Sequence, residues 1–181
     1  MKHMIVASTA WRWVGSVVHQ GQRVLDLQER MKMPRDLEQL SKWGEHFRKN
    51  PDMSHIEDHY FITSVSKSVE WLAELHKLDL IDSTVTEPFL NEAGQSAVAR
   101  NIREHYHKYV NGQGWQRDLN IIKTEIDDLT VQIDATSVAI DQQGIRLIGG
   151  RISVQALIIE AQKLLPALYE CKEAAMNSKL K

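Results

Sequence analysis

The chain has 181 residues, a formal net charge of −2 and a single cysteine, Cys171. Its 43% hydrophobic and 25% charged residues are those of a folded domain long enough to bury a proper core. The near-zero charge argues against a dedicated high-affinity nucleic-acid binder, the lone cysteine excludes a disulfide framework, and no apolar run is long enough for a membrane span.

In chain order, the first predicted helix runs from about Ser8 to Met31. Val14, Val17, Val18, Val24, Leu25 and Leu27 form its apolar face, and Gly15 and Gly21 weaken it. Trp11, Arg12 and Trp13 interrupt the apolar stretch that a secretory leader needs, so a cytoplasmic location is expected. A short helix follows Pro34 with Leu37, Leu40, Trp43 and Phe47 at steps of three and four, and Asn50-Pro51-Asp52 ends it. The next helix starts near Ser54, where Glu57 three residues on makes a capping-box pattern. Ile56, Tyr60, Val65, Val69, Leu72 and Leu75 recur along it, with Phe61 and Trp71 broadening the stripe, and it stops near Leu80. Residues 81–91, with Pro88 as punctuation, read as a connector containing at most one helical turn. A fourth helix then extends to about Val110 and stops at Asn111-Gly112.

Beyond Gly114 the period changes to two. Val131 with Ile133, Val138 with Ile140, and Ile145 with Leu147 alternate with polar residues, and Gln142-Gln143-Gly144 sits between the last two runs. This predicts a small antiparallel hairpin or meander over about 129–149, closed by Gly149-Gly150. Ser153 caps a last helix to about 176 carrying Val154, Leu157, Ile158, Ala161, Leu164, Leu165 and Leu168, which Pro166 kinks or breaks. The Lys-rich end after Met176 frays. The expected architecture is one domain spanning 1–181 and mainly α. It comprises an antiparallel helical bundle with a core over about 8–112, then the β-hairpin, then the C-terminal helix.

The segment pointing most directly to chemistry is Val98–Gly114. It holds Arg100 and Asn101, then His105, in a helix-forming context. Arg is a permanent fork-shaped phosphate ligand and His changes protonation near neutral pH, so the two suit RNA cleavage without a metal. Spacing alone does not single the segment out. Arg12 with His19 and Arg48 with His55 fit the same pattern, and Arg100 also fits with His107. Context does. Asn101 and His105 are four residues apart on one helix face, and His105 flanks an apolar side made of Val98, Ile102, Tyr106 and Tyr109. Arg100 lies about 140° around the helix from His105, so two helices facing each other across a symmetric dimer would be needed to aim both at one phosphate. The plain alternative makes Arg100 a surface charge pairing with Glu104 and His105 a hydrogen-bonded border residue.

On these residues the chain resembles the HEPN superfamily of all-helical, nucleic-acid-associated domains. Arg100-Asn101-Ile102-Arg103-Glu104-His105 fits its motif, and Glu57-Asp58-His59-Tyr60-Phe61 leading into Trp71-Leu72-Ala73-Glu74-Leu75 looks like another long core helix of several bacterial members. His105-Tyr106-His107-Lys108-Tyr109-Val110 with Gly112 and Gly114 is similar to their post-motif segment, so the resemblance covers about residues 54–114. It implies a HEPN-like antiparallel helical core and a homodimer. In active members it implies a metal-independent endoribonuclease of toxin or defence type, often paired with a nucleotidyltransferase-type antitoxin. Arg100 would bind the scissile phosphate of an RNA substrate, His105 would move protons at the attacking 2′-hydroxyl or the leaving oxygen, and Asn101 would orient His105 or the phosphate. Other members keep the fold as non-catalytic dimerisation or partner-binding modules, the second reading here.

No cofactor is expected, since Gly149-Gly150 lacks the Lys-Ser/Thr of a phosphate-binding loop. His55 and His59 share a helix face as metal-binding pairs do, but no third ligand follows at fixed spacing. A polar first helical turn is the better account of them. Trp11, Trp13, Trp43, Trp71 and Trp115 read as core or interface anchors.

Overall fold

The computed structural model describes residues 1–30, 42, 45, 54–111, 113, 121–126, 129–134 and 136–177. Its helices are α1 (Lys2–Arg30), α2 (Ser54–Lys77), α3 (Ser83–Ala93), α4 (Ser96–Glu104), α5 (Tyr106–Val110) and α6 (Val154–Asn177). Between α5 and α6 lie the strands β1 (Ile121–Ile126), β2 (Leu129–Asp134), β3 (Val138–Ile140), β4 (Arg146–Ile148) and β5 (Ile152–Ser153). The chain is therefore mainly α, with a small antiparallel sheet before its last helix.

α1 is the centre of the bundle. Its buried positions Ala7, Ala10, Val14, Val17, Gly21, Val24 and Gln28 alternate steps of three and four, the stripe that lets a helix bury one seam along its length. Most of these side chains are small, so two neighbours come close at once. Arg23 bonds Glu57, Gly21 meets Phe61, and Lys2 acts electrostatically on Glu74, so α2 runs antiparallel to α1. On another side Gly21 meets Ile158, Gly15 faces Leu165 and Trp11 touches the Tyr169 ring, so α6 is antiparallel to α1 as well. The approach at Gly21 is close: a Cβ there would lie 2.6 Å from Ile158 Cγ1 and 3.0 Å from Phe61 Cε2. The glycine that weakens α1 in isolation is what admits both partners. α3 packs on α6 and α2, and α4 packs on α2.

Several boundaries differ from the sequence expectation, each for a local reason. α1 starts six residues earlier than Ser8, because Val6 and Ala7 continue the buried stripe. Of the helix expected after Pro34, Lys42 and Glu45 are described and helical. The rest, with its stop at Asn50-Pro51-Asp52, lies outside the described residues, as do Gly112, Gly114, Trp43, Trp115 and the Lys-rich end past Asn177. The stretch taken as a connector is the full helix α3. Asp82 caps it by accepting from the Thr84 amide at 2.8 Å, and Pro88 sits exposed inside it rather than ending it. On α2 the inward face is Phe61, Ile62, Val65, Leu72 and Leu75, whereas Ile56 and Tyr60 point outward at 44% and 55% exposure. Glu57 grips Arg23 with both carboxylate oxygens instead of serving only a capping box. α6 begins as expected, with Ser153 Oγ accepting from the Ala156 amide, and it runs unbroken through Pro166.

Among the described residues the strands form a two-stranded sheet and the three-stranded sheet before α6. β1 pairs with β2 in a hairpin (Ile121 opposite Asp134, Ile126 opposite Leu129), a strand pairing the alternation did not show. β3, β4 and β5 form an antiparallel meander. The Asp141–Gly144 turn joins β3 to β4, with Gly144 at a φ of 82° that suits glycine. The period of β4 was legible but its face is reversed. Arg146 and Ile148 point inward, while Ile145 and Leu147 are half-buried. The charged residue turns in because a carboxylate waits for it on α2.

Candidate functional site

The α4 helix brings Arg100 across to α2. Arg100 Nη1 donates to Ser66 Oγ at 3.1 Å and to Glu70 Oε1 at 3.0 Å, and its Nε lies 3.5 Å from Glu104 Oε1. The guanidinium therefore already sits between two carboxylates and a hydroxyl, with the side chain 22% exposed. Partial burial raises the Glu70 carboxyl, but hydrogen bonds from Lys67 and Arg100 outweigh it and hold the group below its ordinary range. Two carboxylates thus compete with any phosphate for this guanidinium, although its buried Nε makes no hydrogen bond among the described residues.

The fourth helix does not run through the motif as expected. α4 ends at Glu104, and His105 takes φ −115° and ψ 23°, a break after which α5 starts. The His105 amide still bonds the Asn101 carbonyl at 3.1 Å. The Asn101 side chain donates from Nδ2 to the Tyr109 hydroxyl at 3.3 Å, so it braces α5 against α4. Ile102 and Tyr109 are buried together with Val98 against them, while Tyr106, expected on the same side, is 42% exposed. The His105 ring is half-buried and makes no hydrogen bond among the described residues. His107 is exposed.

Next to this segment lies a buried charge cluster that the motif reading missed. Arg146 donates from Nε and Nη2 to Asp58, with contacts of 3.2, 3.0 and 2.8 Å, and both side chains are almost fully enclosed. Arg103 enters the same region, giving Nη2 to the Thr136 carbonyl at 2.7 Å and Nη1, at the limit of bonding distance, to the His55 carbonyl. Burial lowers the Arg103 pKa against the pull of Asp58. Asp134 closes the turn before β3: its carboxylate accepts from the amides and hydroxyls of both Thr136 and Ser137. Burial pushes Asp134 up, and these four donors bring it below its ordinary range. The Arg146 amide bonds Gln155 Oε1, and Gln155 and Gln28 both donate to the Gly144 carbonyl. The cluster thus ties α1, α2, α4, α6 and the β meander together. One signal for it was present in the sequence: Asp58 stands at the core spacing that leads to Phe61, Ile62 and Val65.

His55 is exposed, and His59 lies against the Tyr60 ring at 6.0 Å. Among the described residues no group of three or more His, Cys, Asp or Glu is arranged to hold a metal ion. Cys171 donates to the Leu80 carbonyl at 3.3 Å, and burial pushes its thiol up, away from the reactive thiolate. Among the described residues no helix is long and apolar enough to cross a membrane. No family model, curated protein or solved structure matches the chain.

Proposed function

We propose that this chain is a non-catalytic helical module that binds a partner, and that Arg100, Asn101 and the neighbouring Arg103 belong to its framework. The observation that carries this reading is the engagement of Arg100 by Glu70, Glu104 and Ser66. A guanidinium held this way supports the contact between α2 and α4, and two carboxylates compete with a phosphate for it. Asn101 supports the same reading through its bond to Tyr109.

The endoribonuclease reading retains one supporting observation. His105 is half-buried at a helix break, five residues after an arginine, with no hydrogen bond from its ring among the described residues. In that reading the site forms across a homodimer and needs no metal.

One experiment separates the two. Purified chain is incubated with single-stranded RNA in EDTA, beside Arg100→Ala, His105→Ala and His107→Ala. The module reading expects no cleavage, with Arg100→Ala costing about 1–3 kcal/mol of stability through the lost charged hydrogen bonds. Cleavage that persists in chelator and in His107→Ala, is lost in both other variants, and fails on RNA lacking the 2′-hydroxyl would overturn it in favour of the nuclease.

A further inference from the structure

α4 and α5 join the bundle differently from the other helices. α4 gives the main apolar core only Ala99, and among the described residues α5 gives it nothing. Ile102 and Tyr109, with Val98 against them, form a separate cluster within the pair. α3, by contrast, sends Phe89 and Ala93 into the main core. The seam between α4 and α2 is polar. Arg100 reaches Ser66 and Glu70, and Arg103 reaches the His55 carbonyl nearer the start of α2. Thr63 stands three residues before Ser66 and seven before Glu70, so helical spacing puts it on the same side of α2, between the contacts of the two arginines.

Three polar atoms along this seam are buried with no hydrogen-bond partner among the described residues: Thr63 Oγ1, Arg100 Nε and Arg103 Nε. Such atoms give up their hydration for no bond, and they regain it when the contact opens. The bonds that keep the seam shut are modest. Glu70 is 47% exposed, so solvent screens its pairing with Arg100. Arg103 holds the Thr136 carbonyl at 2.7 Å but the His55 carbonyl only at 3.5 Å. Gly94, two residues before α4, takes φ 34° and ψ −110°, a backbone open to glycine and strained for other residues. The chain between α3 and α4 thus bends at its least hindered residue.

We infer that α4 and α5 form a strap that undocks from α2 as one unit, pivoting at Gly94, while α1, α2, α3 and α6 stay packed. The bond from Asn101 to Tyr109 and the Ile102–Tyr109 contact lie inside the strap and travel with it. Undocking breaks the bonds of Arg100 to Ser66 and Glu70 and those of Arg103 to His55 and Thr136. The three orphaned atoms gain water in exchange. Docked, the Arg100 guanidinium is shared between α2 and Glu104. Undocked, it keeps only Glu104, four residues on in its own helix. The seam is therefore an autoinhibitory contact that sets when Arg100 and buried Ser66 are open to a ligand. Undocking is a property of the free chain and holds whether or not a partner binds.

The test is native-state hydrogen exchange on the full chain, followed through urea concentrations below the unfolding midpoint. The amides of α4 and α5 should share one opening, weakly dependent on urea and at least about a hundredfold more frequent than the global unfolding that releases α1 and α6. Thr63→Val removes one orphaned hydroxyl at nearly constant shape and should slow exchange in α4 and α5 by about tenfold. Ser66→Ala removes a bond that opening breaks and should speed it by about tenfold. Ile158→Val trims the core that stays packed. It should speed α1 and α6 by about fivefold and leave the strap opening as it was. The proposal is overturned if α4 and α5 exchange with the frequency and urea slope of α1 and α6, or if they open separately from each other. It is also overturned if Thr63→Val does not slow the strap, if Ser66→Ala does not speed it, or if Ile158→Val speeds the strap as much as the core.

Discussion

Gly21→Ala tests the close approach at the centre of the bundle. In an exposed helix interior this change would stabilise by about 1 kcal/mol, because glycine is the poorer helix former. Here the added methyl would sit 2.6 Å from Ile158 Cγ1, 2.7 Å from Ile158 Cδ1 and 3.0 Å from Phe61 Cε2, all inside normal contact distance. Phe61 is fully buried and Ile158 nearly so, and a β-branched side chain in a helix has essentially one χ1 rotamer to use. Overpacking of this kind costs about 1–3 kcal/mol, so Gly21→Ala should destabilise by up to about 2 kcal/mol after the propensity gain is set against it. The sign should reverse in an Ile158→Ala background. That variant alone costs about 2–5 kcal/mol, and the methyl on residue 21 then enters the vacated space and keeps the propensity gain. Urea unfolding followed by far-UV circular dichroism gives each stability, read as a midpoint shift at constant slope. If Gly21→Ala raised the midpoint by the full propensity gain with Ile158 intact, the three helices would not meet at residue 21 and the packing argument would fail.

Two further predictions concern the charges. Asp58→Ala should cost about 3–5 kcal/mol because it strands buried Arg146, whereas Asp58→Leu with Arg146→Met should recover most of that loss. Equal losses for the single and double variants in urea titrations would mean that the pair is not coupled. The second is a pH dependence. The folded pKa values of Asp134 and Glu70 are lowered, so both groups stabilise the fold above the ordinary carboxylate range of about 4, and the contribution is lost as pH falls through the lower folded values. Asp134→Asn should flatten the acid limb of the midpoint-against-pH curve, and Glu70→Gln should do so only weakly, since its side chain is 47% exposed. An unchanged acid limb in Asp134→Asn would refute the assigned role of its four hydrogen bonds.

The helices of the core were legible where one periodic apolar stripe settles the matter, as along α1 and α6. The stripe of α2 was misplaced at its start because Ile56 and Tyr60 satisfy the spacing as well as Asp58, Phe61 and Ile62 do, and hydrophobicity favours the wrong set. Only the long-range partner Arg146 makes Asp58 an inward residue. The same partner reverses the face of β4, whose inward arginine contradicts the alternation of Ile145 and Leu147. α3 was hidden because Pro88 reads as a stop, whereas the helix runs through it without the amide bond that proline cannot make. At the candidate site, the i,i+4 pairing of Arg100 with Glu104 could be read from spacing. The larger part of its engagement could not, since Ser66 and Glu70 lie more than twenty residues away. Neither could the break at His105, which follows from how α5 packs Tyr109 onto Ile102.

The position of α1 between α2 and α6 has a consequence for synthesis. α1 carries two faces to cover, and α6, which covers one of them, is made well after it. Well over a hundred residues separate Arg30 from Val154. At translation rates of about 5–20 residues per second, one apolar side of α1 stays bare for on the order of ten seconds. During that interval α2 is the long helix on hand to pair with α1, and the side of Gly21 that meets Ile158 has no cover. The nascent chain is then most open to chaperones and to self-association, until α6 arrives to cover that side.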